Sequence, residues 1–189
     1  MPTTINDTTI TGLAAGGLPA NVITGSTVYS GAPLQIVQTV KLDTFSGGGV
    51  NTTWYPITGF TANITPSSTT NKILVMADMQ LGMGYWTLRG ILTRNGANVT
   101  GSFGTARSTR QGVTFCVNWY ENGVSGYQMI RQAFDYIDSP ASTSVQSYGI
   151  SISGYSTYGV YMNRSGVDTD SSDYFGCPAS SLTLIEVKA

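Results

Sequence analysis

The segment KILVMADMQL, residues 72–81, is the most strongly apolar stretch of the chain and decides the predicted fold. A continuous apolar run of this kind predicts a central, buried β-strand. Because successive side chains of a strand point to opposite faces, Ile73 and Val75 are expected on one face. Leu74 and Met76 are then expected on the other, so that one pair lies inside a sandwich and the other against a neighbouring sheet or subunit.

Strand and turn signals precede this segment. Residues 34–42 alternate in a β-rich run that predicts a first strand, ended by the SGGG cluster at 46–49. Residues 54–65 form a second extended stretch, in which Pro56 permits only an edge or bulged strand. The composition of TPSSTTN at 65–71 predicts a turn into the apolar segment.

Further short strands are predicted after it. Asn95-Gly96 between alternating apolar flanks predicts a tight hairpin, because both residues tolerate positive φ. About ten short strands and no convincing amphipathic helix favour an all-β fold, an antiparallel β-sandwich of jelly-roll-like form. The remaining strands are expected near residues 113–120, 127–136, 144–153, 158–163 and 182–188.

The first 33 residues differ from the rest. They are rich in glycine, with scattered apolar residues and no sustained period of 2 or 3.6, so they cannot bury enough surface to fold alone. We expect an extended arm for attachment or oligomerisation at residues 1–33, the alternative being a floppy leader, followed by one sandwich domain at 34–189.

Composition argues against most chemistry. The 189 residues include no histidine, 10 % are charged and the net charge is -1. Without histidine a hydrolytic triad lacks its usual base, and the near-neutral charge disfavours nucleic acid as a partner. Arg107 and Arg110 fit a solvated turn or a subunit salt bridge better than a nucleic-acid site. A surface with so few charges favours an obligate oligomer.

No apolar run approaches the ~20 residues that cross a bilayer, and no secretory signal pattern opens the chain. The protein is therefore expected to be made in a cytoplasm. Cys116 and Cys177 lie far apart without accompanying histidine, which argues against zinc. Buried, reduced thiols are expected, with a disulfide as the alternative.

Two groups of acidic residues are candidates for a calcium site or for a catalytic carboxylate pair. Asp168, Asp170 and Asp173 crowd one loop, but their spacing does not fit an EF-hand, so a solvated turn is expected rather than calcium. Asp135 with Asp138 or Glu121 would be the pair for glycoside hydrolysis. A small sandwich has little room for a deep cleft, and the chain is predicted to be neither an enzyme nor a cofactor-binding protein.

Exposed aromatic residues are the candidate contact site. Tyrosine and tryptophan beside glycine stack on sugar faces or form protein interfaces. Core or subunit-interface packing is the main expectation, and contact with a surface glycan is the alternative. The candidates are Tyr85, Trp86, Tyr155, Tyr158 and Tyr161.

Three stretches resemble a known family: ITGFTANITPSSTTNKILVMADM at 57–79, FDYIDSPASTSVQSYGISI at 134–152 and VYMNRSGVDTDSSDYFGCPASSLTLIEV at 160–187. Their order and spacing resemble the β-sandwich domain of tail-fibre, head-fibre and other virion structural proteins of tailed bacteriophages. The recurring features are the TPSST turn before KILV, the YIDSP turn, the NRS segment and the terminal SSLTLIEV strand. The resemblance covers roughly residues 34–189.

This resemblance implies a virion component made in a bacterial host. In such proteins an N-terminal segment attaches to capsid or tail, and the sandwich forms an exposed knob, usually as a homotrimer. Only about 33 residues precede the domain here, which favours a short spike or a capsid-attached protein over a long fibre. The alternatives are a capsid cement or decoration protein, and a carbohydrate-binding module for receptor recognition.

Overall fold

The computed structural model describes residues 30–48, 53–84, 86–118, 126–155, 158–169 and 176–189. All regular structure in these ranges is β-strand. The strands are β1 Pro33–Lys41, β2 Phe45–Gly47, β3 Tyr55–Ile64, β4 Lys72–Met83, β5 Thr87–Arg94, β6 Ala97–Asn98, β7 Phe115–Asn118, β8 Met129–Asp138, β9 Gln146–Gly154, β10 Val160–Met162 and β11 Ser180–Val187.

The strands form two antiparallel sheets, which confirms the predicted sandwich. Sheet A has six strands in the order β1-β11-β4-β10-β2, with β8 on the other side of β4. Sheet B has five strands in the order β3-β9-β5-β6, with β7 also paired to β5. The pairings join segments distant in sequence, such as β1 with β11, so most of the fold rests on long-range contacts.

The core lies between the inner faces of the two sheets. Along β4 the side chains of Ile73, Val75, Met79 and Leu81 point inward and are fully buried. They pack with apolar side chains of sheet B, among them Phe60, Leu92, Ile150 and Ile152. The central position of β4 and the placement of Ile73 and Val75 on one face are as predicted, and the structure shows that this face is the inward one. Its other face is different, because Leu74 is only half-buried and Met76 is 45 % exposed.

Strand β3 has the two properties expected of a strand that contains proline. It is an edge strand of sheet B, paired only to β9, and its register shifts between Pro56 and Thr61. Gly59 lies inside this irregularity with a φ of 75°, a conformation that disfavours other residues. The missing amide hydrogen of Pro56 therefore costs no ladder hydrogen bond to a second neighbour.

The turn at Asn95-Gly96 also matches its prediction. The two residues have φ values of 52° and 80° and join β5 to the two-residue strand β6. Positive φ at both central positions is the geometry that a two-residue hairpin needs. Asn95 further accepts a hydrogen bond from the Ser147 amide at 2.9 Å, which ties the turn to β9.

The expectation that the glycine cluster at 46–49 only ends a strand was wrong. Its first residues belong to β2, where Gly47 pairs with Val160 of β10. A Cβ at Gly47 would lie 3.1 Å from a Val160 methyl group and 3.3 Å from Tyr55 Cβ, so the absence of a side chain lets the strand approach. Glycine here permits pairing instead of preventing it.

A second glycine, Gly90 of β5, shapes the core. It lies opposite Phe115 of β7, and a Cβ on Gly90 would lie 1.9 Å from that ring. Phe115 in turn stacks on Phe134 of β8, with ring centroids 5.8 Å apart. The Phe115 ring thus occupies the space of a missing side chain and links the two sheets.

The predicted arm lies almost wholly outside the described residues. Where the described chain begins, Gly31 donates a hydrogen bond to the Lys188 carbonyl and Lys188 donates one to Ala32, extending the pairing of β1 with β11. Within the ranges that the structure describes, no helix is long and apolar enough to cross a membrane.

Candidate functional site

Two turns meet at one end of the sandwich and bring the candidate aromatic residues together. The β4–β5 turn and the β9–β10 turn are joined by a hydrogen bond from Gly84 N to Gly159 O of 2.9 Å. Across this junction Trp86 stacks on Tyr155, with centroids 5.5 Å apart and planes 14° apart. The rings are 40 % and 41 % exposed. We call the two stacked residues and Tyr158 the aromatic end.

The backbone of Trp86 is strained. Its φ of 61° is a left-handed conformation, which a bulky side chain adopts at a cost of about 1–3 kcal/mol. Because the Trp86 ring is half-exposed, its burial offsets little of this conformational cost. Such a geometry persists only when the surrounding turn imposes it, and the ring is thereby held at the tip of the sandwich.

Of the five candidate aromatic residues, the structure brings three together. Tyr158 is 42 % exposed and donates its backbone N–H to Tyr155, which closes the turn beneath the stacked rings. Tyr161 has a different environment, since its ring lies under the Arg164 guanidinium at 4.7 Å and its hydroxyl occupies the space beside Gly159. The prediction for Tyr85 lies outside the described residues.

The carboxylates weighed for catalysis are separated. Asp135 and Asp138 both belong to β8, three positions apart, and therefore point to opposite faces of the strand. Asp135 is exposed on the outer face, whereas Asp138 is buried and binds Arg94 and Tyr148. Glu121 lies outside the described residues. Asp135 and Asp138 thus have no shared space for a sugar between them.

Asp138 has a structural role instead. One of its oxygens accepts hydrogen bonds from the Arg94 guanidinium and from the Tyr148 hydroxyl, the latter at 2.6 Å. Burial, and after it the hydrogen bond to the carboxylate, raises the pKa of Tyr148. Because Arg94 and Tyr148 belong to sheet B and Asp138 to sheet A, this charged group joins the two sheets.

Glu186 is the centre of a second buried polar cluster. It is 1 % exposed and accepts hydrogen bonds from Asn71, Gln35 and both the amide and hydroxyl of Ser67, at 2.6–2.7 Å. Burial alone would raise the pKa of Glu186, but these donors outweigh it and hold the pKa below its usual value. The cluster joins the last strand, the first strand and the TPSSTTN turn.

Asn163 organises a third cluster. Its side-chain amide donates to the backbone carbonyls of Lys41 and Asp43 at 2.8 and 3.0 Å, and its carbonyl accepts from Ser180 at 2.6 Å. The Ser180 hydroxyl also accepts from the Gln80 amide. These bonds fix the residue that follows β10 and the first residue of β11 against the end of β1.

Every family-like stretch contributes to these clusters. Asn71 comes from 57–79, Asp138 and Tyr148 from 134–152, and Asn163 and Glu186 from 160–187. Each stretch thus supplies at least one member of these clusters, whereas other members, Gln35, Lys41 and Arg94, lie outside the stretches. Sequence reasoning did not identify this role. The signal was a polar residue inside an otherwise apolar segment, as Glu186 is in LTLIEV.

The acidic loop gives no metal cluster among the residues that are described. Asp168 lies 3.3 Å from Arg164 in an ion pair, while Asp170 and Asp173 lie outside the described ranges. Within the described ranges, no group of three or more histidine, cysteine, aspartate or glutamate side chains could hold a metal ion.

The cysteines differ from expectation. Cys116 and Cys177 are both free, but both are exposed, so the prediction of buried thiols was wrong. Cys116 belongs to β7 on the outer side of its sheet, opposite Arg89, whereas its neighbour Phe115 takes the inward position. Alternation along the strand decides which of the two is buried.

Arg107 and Arg110 lie in an exposed turn, which agrees with the first of the two expected alternatives, a solvated turn or a subunit salt bridge. Their backbones exchange two hydrogen bonds of 2.9 and 3.1 Å, and Ser108 between them has a φ of 52°. Both arginines are exposed.

No family model matches the chain, and no curated protein matches it. Among solved structures, the infectious bursal disease virus Gt strain matches with 14 % identity and a TM-score of 0.38, over 91 % of this chain and 43 % of that one. The VP2 subviral particle of infectious bursal disease virus matches with 14 % identity and a TM-score of 0.36, over 91 % and 42 %. The chain spans less than half the length of these chains, and at such TM-scores the likeness has no bearing on its function.

Proposed function

We propose that this protein is a non-enzymatic structural component of a bacteriophage virion. In this proposal the chain forms a short homotrimeric spike, residues 1–33 attach it to capsid or tail, and the sandwich is an exposed knob. The observation that supports it is that each of the three family-like stretches supplies a side chain to the buried polar clusters: Asn71, Asp138 and Tyr148, and Asn163 and Glu186. The segments that resemble the virion domain thus contribute to the interior of this sandwich.

Deletion of the first 30 residues tests the proposal. Gly31 onward carries the pairing with Lys188, so the truncated chain should fold as the full chain does, with unchanged circular dichroism. It should be absent from purified particles, whereas a full-length Val145→Ala variant should be incorporated normally. Truncated protein found at full occupancy on virions would place attachment in the sandwich and would contradict the proposed arm.

The aromatic end supports a second candidate function, contact with a host surface glycan. Trp86 and Tyr155 present coplanar, partly exposed rings, and aromatic rings of this kind pack on the apolar faces of sugars. Individual contacts of this kind are weak, so useful binding would come from several copies on one particle.

The test is adsorption of particles to host cells and binding to a glycan array. Trp86→Ala should reduce both, while Val145→Ala should leave both unchanged, because Val145 precedes β9 and Tyr155 follows it, at opposite ends of the strand. Equal adsorption of the two variants would exclude the aromatic end as the contact. Loss of adsorption in both would indicate a general defect of the particle.

A further inference from the structure

The outer face of sheet A carries an unusual row of aliphatic side chains. Ile137, Leu74, Ile185 and Ile36 lie opposite one another on β8, β4, β11 and β1, so they form a continuous row across four strands. Ile36 is 65 % exposed and Ile137 55 %. Met76 adjoins the row on β4, and Val40 is the second outward residue after Ile36 on β1, beyond Gln38. We call these six residues the aliphatic face.

The exposed part of the outer face of sheet B has a different character. It presents Thr61 and Asn63 of β3, which are exposed, and Ser147 of β9, which is half-buried. Ile91, Gly149 and Ser151 lie on the same face but are buried. The exposed positions of this face are thus polar, as expected for contact with water. Folding of the sandwich therefore does not by itself explain why the outer face of sheet A carries the aliphatic face.

The size of the aliphatic face fits a protein partner. The outer face of sheet A over residues 72–78 of β4 and the strands beside it contains the aliphatic face together with polar residues such as Thr183 and Asp135. Four strands at ~4.8 Å spacing and seven residues at ~3.3 Å give this region a projected area of roughly 440 Å². Side-chain relief adds accessible area, so the region supplies at least half of the ~800 Å² that each partner of a standard interface buries. A groove of about 380 Å³ opens beside it, lined by Met76, Asp78, Arg131, Asp135 and Thr183 among others.

The charges around the face fit a second copy of the same chain. Lys72, Asp78, Arg131 and Asp135 hold outward positions on β4 and β8, giving two positive and two negative groups. Arg131 and Asp78 pair within the chain at 2.6 Å. A face with balanced charge meets no net repulsion from its own copy, whereas a strongly charged partner would gain little from it.

We propose that the aliphatic face is the contact between copies of this chain, packed around their common symmetry axis. This inference rests on the homotrimeric virion protein proposed above, and it identifies the surface through which the copies contact one another. The outer face of β4, which carries Leu74 and Met76, then packs against a neighbouring subunit. Leu74, Met76 and Ile137 are fully buried only in the assembly.

Light scattering of the purified full chain tests the contact. Wild-type protein should have the mass of several chains. The double variant Ile36→Asp with Ile137→Asp should fall to the mass of one chain, because paired carboxylates in an apolar interface are costly. Thr61→Asp with Asn63→Asp makes the same charge change on sheet B and should keep the wild-type mass. A monomeric wild type, or an unchanged mass in the first variant, overturns the proposal.

Met76 provides a second readout that does not depend on a variant folding. In a single chain its thioether is accessible, so peroxide should oxidise it readily; in the assembly its oxidation should be much slower. Rapid oxidation of Met76 in the wild type would contradict the proposal. If deletion of residues 1–30 speeds oxidation without changing the mass, that segment and not a second copy covers the face.

The two proposals can fail separately. If the protein is not incorporated into particles but keeps its mass and the slow oxidation of Met76, the virion function is contradicted and the contact between copies is not.

Discussion

Replacing Glu186 with glutamine tests how the sandwich is held together. In Glu186→Gln the side-chain oxygen can still accept from Ser67 and Asn71, but each bond loses its charge, falling from about 1.5–3 to about 0.5–1.5 kcal/mol. The new amide group also faces the Gln35 amide, which now donates to Glu186 at 2.6 Å. Gln35 cannot rotate to compensate without losing its bond to the Thr65 carbonyl. The expected loss is about 2–4 kcal/mol.

The same change should alter the pH dependence of stability. A carboxylate whose folded pKa is lowered stabilises the protein above its unfolded pKa, which is about 4.3, and this contribution is lost as the pH falls through the folded pKa. Glu186→Gln should therefore differ most from wild type at pH 7 and converge with it in acid. Urea unfolding at pH 7 and at a series of lower pH values down to about pH 2, followed by circular dichroism, measures both effects.

A surface carboxylate is the control for this prediction. Asp168→Asn removes an ion pair with Arg164 whose side chains are 46 % and 21 % exposed, and it should cost about 1 kcal/mol or less. If Glu186→Gln is as stable as wild type at pH 7, or if its stability declines in acid as steeply as that of wild type, the buried cluster does not hold the strands as argued.

Three further substitutions test the packing. Gly90→Ala forces a Cβ into the ring opposite it and should cost about 1–3 kcal/mol in urea unfolding, whereas Gly104→Ala, with open space around it, should be near neutral. Val75→Asp buries an unpaired carboxylate and should prevent soluble expression, while Met76→Asp should fold; soluble Val75→Asp would refute the assigned face of β4. Trp86→Gly should be about 1 kcal/mol more stable than Trp86→Ala in thermal unfolding, because glycine alone relieves the positive φ; equal stability would mean that no strain is stored there.

The sequence was sufficient to predict the sandwich because its signals are local. The Asn95-Gly96 turn, the proline of β3 and the apolar run of β4 each depend on the conformation of a few residues. Strand β1 shows where this reasoning ends. Its run alternates, but the structure turns Gln35 and Lys41 inward and Ile36 outward, the reverse of what polarity suggests.

The inward direction of Gln35 has a cause that no local pattern contains. Its amide reaches Glu186, which lies 151 positions away in sequence. A buried polar residue is tolerated only when its partners are present, and those partners are defined by the tertiary fold. The same holds for the aromatic end, where adjacent glycines marked the tyrosines but the stacking of Trp86 on Tyr155 depends on two turns meeting.

The inward polar residues of β1 explain why its aliphatic residues point outward. Once Gln35 and Lys41 are committed to buried hydrogen bonds and an ion pair, the alternation of the strand sends Ile36 and Val40 outward. Folding alone would be satisfied by threonine or serine at those outward positions, as it is on the outer face of sheet B. The row continues with Ile185 of β11, Leu74 of β4 and Ile137 of β8, and the next outward residues of β11 and β8 are the polar Thr183 and Asp135. An aliphatic side chain at one aligned position on each of four strands is what contact between molecules would produce.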